Sequence, residues 1–126
     1  MNREELEIPK NLKHKPIVFE KVFGDTDAKF FSIGKPQWDN ADKNFSIKVF
    51  RYVNNRWSPQ SEEIPLERFL KMAEFLIECI DGNFCEKEKQ RGSSFEKLQE
   101  KLSKMKSDKV FKNIYKVLRK WQEENR

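Results

Sequence analysis

The stretch at residues 29–57, KFFSIGKPQWDNADKNFSIKVFRYVNNRW, constrains the fold more than any other part of the chain. Large side chains recur there at a period of two, and side chains alternate between faces along a β-strand. Residues 29–38 and 44–53 read as strands, with a less regular third over residues 56–63. The DNADK segment at 39–43 is polar and turn-rich. Asn54-Asn55 signals a tight hairpin, because asparagine tolerates positive φ. In the strand at 44–53, Phe45, Ile47, Val49 and Val53 share one face, which Arg51 interrupts near its end. Ser46, Lys48, Phe50 and Tyr52 share the other. In the strand at 29–38, Phe31 and Ile33 lie opposite Phe30, Ser32 and Gly34. Pro36 and Pro59 cannot donate to a ladder, so they place their strands at an edge or a bulge.

Upstream, residues 1–16 are mostly polar, carry Pro9 and Pro16, and read as an ordered arm or a loose tail with little structure of its own. Residues 17–23 (IVFEKVF) read as a further strand, and residues 24–27 (GDTD) as a turn. Four strands in series with short polar links favour an antiparallel meander.

From residue 66 the period changes. Leu66, Phe69, Leu70, Ala73, Leu76, Ile77 and Ile80 recur at helical spacing, and their arc suits a helix facing a sheet. Pro65 fits the first turn and Asp81-Gly82 the stop. A second stripe, Met72, Phe75 and Cys79, lies beside the first. One contact with a sheet does not cover both, so the second stripe needs a second subunit or the chain's own C-terminal helices. Residues 83–93 form a charged linker. Ser94 then caps a helix carrying Phe95, Leu98, Leu102 and Met105. Asp108 caps a last helix in which Phe111, Ile114, Tyr115, Leu118 and Trp121 form a stripe beside Lys112, Lys116, Arg119 and Lys120.

The expected fold is α+β: an antiparallel four-stranded sheet followed by an amphipathic helix, with two C-terminal helices. The expected parts are an arm at 1–16, a sheet-plus-helix domain at 17–82, a linker at 83–93 and a helical extension at 94–126.

Charge is unevenly placed. The net charge is +5, made of −1 over residues 1–28, +4 over 29–57, −4 over 58–85 and +6 over 86–126. Basic zones favour a polyanionic partner. High lysine and glutamate content is compatible with a thermophilic source. No apolar run has the length of a signal peptide or a membrane span, so a cytoplasmic protein that makes no use of a membrane is expected. Cys79, Cys85 and His14 do not form a metal-ligand spacing, and neither a metal nor a cofactor is expected. Cys79 reads as a small buried hydrophobe, and a Cys79–Cys85 disulfide does not suit a reducing compartment. His14 sits between two lysines and is expected to be exposed. Asp39, Asp42, Glu62 and Glu63 are better explained as turn residues and solvated charges than as magnesium ligands. Phosphate-loop, dinucleotide, nucleophile-elbow and zinc-protease motifs are all missing, so an enzyme is not expected.

The face that mixes aromatics with cations gives the functional expectation. Stacked bases need flat rings and phosphates need cations. Lys35, Trp38, Lys48, Phe50, Tyr52, Arg56 and Trp57 supply both, which points to sequence-tolerant binding of single-stranded DNA or RNA. The competing structural explanation is a two-sided core with Phe50 and Tyr52 beneath a helix or a second sheet.

Four strands and one long amphipathic helix resemble the family of the transcriptional coactivator positive cofactor four. The matching text is Ile47-Lys48-Val49-Phe50-Arg51-Tyr52, then Trp57-Ser58-Pro59, then Ile64-Pro65-Leu66 and the helix. The chain is also similar to the ThermoDBP-type single-stranded-DNA-binding proteins of thermophiles, which add C-terminal helices for association. These resemblances imply dimeric sheets that bind single strands, with the helix as the dimer contact. The long helical tail departs from the first family, as does the lack of its Gly-rich, Lys-rich connection. The alternative expectation is a protein-interaction or oligomerisation module, in which the C-terminal helices and Met72, Phe75 and Cys79 meet a partner chain.

Overall fold

The structure is a computed structural model that describes residues 6–9, 13–38, 44–58, 63–82 and 87–125. The DNADK segment, Pro59, Glu62, Cys85 and residues 83–86 of the expected linker lie outside the described residues. The chain divides into two units, Met1–Lys71 and Met72–Arg126.

The first unit is a sheet. Its strands are β1 (Lys15–Lys21), β2 (Ala28–Lys35), β3 (Ser46–Val53), β4 (Arg56–Trp57) and β5 (Glu63–Pro65). They run antiparallel in the order β1-β2-β3-β4, and β5 also pairs with β3. The outer edge of β3 is thus shared: Tyr52 and Val53 take β4, while Ser46, Ile47 and Lys48 take β5. Asn54 and Asn55 both adopt positive φ, 53° and 62°, which gives the β3–β4 hairpin a turn whose twist matches its strands. The ladder shifts at Ile17 in β1 and at Lys29 in β2. β2 stops at Lys35, before the buried Pro36, so the proline ends the strand rather than bulging it.

The register fixes which residues share a face. Phe30 pairs with Phe50, Ser32 with Lys48, and Gly34 with Ser46. Lys48 pairs in turn with Glu63. On the opposite face Phe31 pairs with Val49, Ile33 with Ile47 and Val18, and Ile47 with Ile64.

Three helices follow: α1 (Leu66–Ile80), α2 (Ser93–Met105) and α3 (Lys109–Glu124). The bounds of α1 are those its apolar spacing predicts. Asp108 caps α3 by accepting from the Val110 amide at 2.8 Å. Ser94 does not cap α2. That helix begins two residues earlier than expected, at Ser93 behind Gly92, with no side-chain cap. Of α1, only Ile80 is buried, so the expectation that its stripe is covered does not hold: Phe69, Leu70 and Leu76 are exposed. No described helix is long and apolar enough to cross a membrane.

Candidate functional site: one sealed face and one open face

The face expected to meet a ligand is the sealed one. Phe50 is 0 % exposed, and Lys48, Phe30, Ser32 and Ser46 are buried with it. The cover is the N-terminal arm. Leu6 and Ile8 are buried, Ile8 clusters with Phe30 and Phe50, and Trp57 packs against that cluster. The rings meet at angles rather than stacked flat: Trp57 stands 6.2 Å edge-on from Phe50 and 5.2 Å from Tyr52. Leu6 and Ile8 are therefore part of the core, and of the two readings of residues 1–16 the ordered arm holds there.

Three small residues make this close cover feasible. Ser32, Gly34 and Ser46 lie on the sealed face among bulkier neighbours. A Cβ on Gly34 would sit 2.0 Å from the Lys15 carbonyl oxygen, so only glycine lets the chain cross there. Over this seat lies His14, which is buried, against the expectation of exposure. Its Nδ1 is 2.8 Å from Glu63 Oε1 and its Nε2 is 2.9 Å from Ser32 Oγ. Ser46 donates to the same Glu63 oxygen at 2.7 Å, and the Gln37 amide donates to it at 3.2 Å. Glu63 Oε2 is buried with no hydrogen-bond partner, and Lys48 lies directly across the ladder. Glu63 is thus not a solvated charge. Among the described residues no group of metal-binding side chains occurs.

A serine, a histidine and a carboxylate in this order share the topology of a nucleophilic relay. The ring faces argue for another role. His14 is packed edge-to-face on Phe50 at 5.7 Å, and Ser32 is buried. The arrangement fits a polar clasp that holds the arm down. Burial lowers the His14 pKa below 6.5, outweighing the nearby Glu63 carboxylate; Lys48 adds to the lowering. The resting ring is neutral, with Nδ1–H donating to Glu63 and Nε2 accepting from Ser32. Burial likewise lowers the Lys48 pKa, against the pull of Glu63. The sequence signal for the clasp is the run of small residues at 32, 34 and 46 on one face.

The other face, expected to be core, is open. Phe31 is 45 % exposed and Ile33 38 %, with Val18 beside them also exposed. Phe31, Ile47, Val49, Ile64 and Phe69 from the first turn of α1 line an apolar depression of about 300 Å³. Lys48 also borders it.

The remaining candidate residues separate. Trp38 and Arg56 are exposed, while Lys35, Tyr52 and Trp57 are half-buried. The register puts Lys48, Phe50, Tyr52 and Trp57 on one face as expected, but the arm occupies it. The expected oligomer contacts Met72 and Phe75 are exposed, and Cys79 is half-buried and free.

The fold and site define an α+β sheet protein with one face closed by its own arm and one apolar face left open. The chain belongs to the family of unknown function DUF6530, whose model matches residues 6–105. That match runs from the arm through the last residue of α2; α3 lies beyond it. No curated protein and no solved structure matches the chain significantly.

Proposed function

We propose that this protein is a protein-interaction module that works by self-association. The observation that carries this is the open sheet face: Val18, Phe31 and Ile33 are exposed on a sheet whose other face is closed, and the exposed Phe69 of α1 lines the same depression as Phe31. A contiguous apolar patch on an otherwise charged chain marks a surface that another chain covers. Its composition also selects the partner class. The depression is lined by aliphatic and phenyl groups with a single lysine at its border, which suits another protein better than a phosphate backbone.

The test is the mass of the protein in solution, measured by sedimentation across micromolar concentrations. A dimer or larger assembly is expected. Phe31→Lys should leave the fold intact by circular dichroism and shift the assembly toward monomer. A wild-type chain that stays monomeric at all concentrations refutes the proposal.

Single-stranded nucleic acid is the alternative partner. It is favoured by the β3–β4 hairpin, where Arg56 is exposed and Tyr52 and Trp57 are half-buried. An oligonucleotide titration at two ionic strengths separates the two readings. Salt-sensitive binding to a monomer, with Trp fluorescence quenched, supports the nucleic-acid partner.

A further inference from the structure

The helices carry more apolar surface than one chain covers. At 100° per residue, the apolar arc of α1 spans about 220° and is interrupted only by Arg68. Phe69, Leu70, Met72, Phe75 and Leu76 on that arc are all exposed, Phe75 by 59 %. The arc of α3 spans about 160° and is interrupted only by Gln122. No residue of α3 is buried, and Trp121 is 63 % exposed. By contrast α2 already has a neighbour: Leu102 is buried and shares a small pocket with Cys79 and Ile80 of α1.

Length and charge match α1 to α3. The two helices have 15 and 16 residues, about 22 and 24 Å at 1.5 Å per residue. The polar side of α1 is an acidic ridge, Glu67, Glu74 and Glu78, relieved by Lys71. The polar side of α3 carries Lys109, Lys112, Lys116, Arg119 and Lys120, with Glu123 and Glu124 only at its end. Pairing α3 with α3 brings like charges together, as does pairing α1 with α1. Only α1 against α3 joins polar sides of opposite net charge, and Glu67 and Glu74 on α1 and Lys112, Arg119 and Lys120 on α3 lie within about 60° of an edge of their apolar arcs. Arcs this wide also exceed the narrow seam of a two-stranded coil, so each helix needs more than one neighbour.

We infer that two copies of this chain associate with α1 of one against α3 of the other, reciprocally, in a four-helix arrangement. This rests on the self-association proposed above and adds a helical contact to that of the open sheet face. It gives Met72 and Phe75 their partners in the second copy. It also makes the assembly weaken as salt rises.

Two variants test it. One chain carries Glu67→Lys and Glu74→Lys, the other Lys112→Glu and Lys120→Glu. Glu78 is left alone because Lys87 pairs with it. Each variant alone should dissociate at least about tenfold more readily than wild type, since every lost attraction is replaced by a repulsion. Mixed in equal amounts, the two should recover the wild-type dimer as a heterodimer, because each α1 then finds an α3 of opposite sign. Circular dichroism of each variant confirms that the fold persists. Variants that dimerise as well as wild type overturn the pairing and leave self-association standing. Variants that dissociate but do not recover on mixing overturn it too; if a single chain carrying all four substitutions then recovers, the helices meet within one chain. A wild-type monomer overturns both the pairing and the proposal it rests on.

Discussion

The two faces of the sheet are built from the same strands in alternation, yet they have opposite fates. The face with Lys48, Ser32, Ser46 and the buried His14 is closed, and the face with Phe31, Ile33, Ile47 and Val49 is open or half-open. Polarity alone predicts the reverse. What decides is the cover. The arm packs Ile8 on Phe30 and Phe50 and His14 on Ser32 and Ser46, and apart from Glu63 Oε2 the polar groups beneath are matched one to another rather than left to water. An apolar face with no such cover stays available to another chain.

The sharpest way to break this comparison is to truncate one phenylalanine on each face. Phe50→Ala removes a side chain with no exposed surface from the contact with Ile8, Phe30 and Trp57. It should lower unfolding free energy by about 3–5 kcal/mol, measured by urea titration. If Phe50→Ala is as stable as wild type, the face is not a core and the nucleic-acid partner regains its platform.

That experiment also marks where the sequence stops being informative. The period of two in β2 and β3 shows which residues lie together, and the period change at Leu66 gives α1 its bounds. Asn54-Asn55 and Asp108 announce their turn and cap through local chemistry. Alternation cannot say which face is up, because that depends on a segment far away in sequence. Leu6 and Ile8 offer only two apolar residues, beside Pro9, which is too short a signal to distinguish a cover from a tail. The candidate site suffers for the same reason. Lys48, Phe50, Tyr52 and Trp57 share one face, but there Lys48 and Phe50 are buried and Tyr52 and Trp57 half-buried.

A smaller effect is expected from the clasp. Glu63→Ala leaves the His14 N–H and the Ser46 hydroxyl without their acceptor in a buried place. The loss should be about 2–3 kcal/mol, because stranded buried donors bear their full desolvation cost. Glu63→Gln keeps an acceptor oxygen and should lose less. Equal stability of all three proteins would mean that the clasp does not hold the arm.

Acidification probes the same clasp without a substitution. The folded His14 pKa lies below its unfolded value of 6.5, so the unfolded chain binds the extra proton first. Stability is therefore complete above about pH 6.5 and falls as the pH drops through that value toward the folded pKa. Each unit of depression corresponds to about 1.4 kcal/mol lost once the pH is below both values. Melting temperature should decline between pH 7.5 and 5.5, and His14→Gln should flatten the decline in that window. A variant that tracks wild type at every pH would assign the acid sensitivity to other groups.

The least effect on the single chain is expected on the open face. Phe31→Ser removes a ring that already faces water over nearly half its surface and that borders a depression rather than filling one. In dilute solution, where the chain is dissociated, its unfolding free energy should stay within about 1 kcal/mol of wild type. At concentrations that favour assembly, wild type should gain stability by mass action and the variant should not. The two denaturation midpoints therefore start together and separate as concentration rises. If they are apart already in dilute solution by as much as Phe50→Ala, the open face is part of the chain's own core and the contrast between the two faces fails.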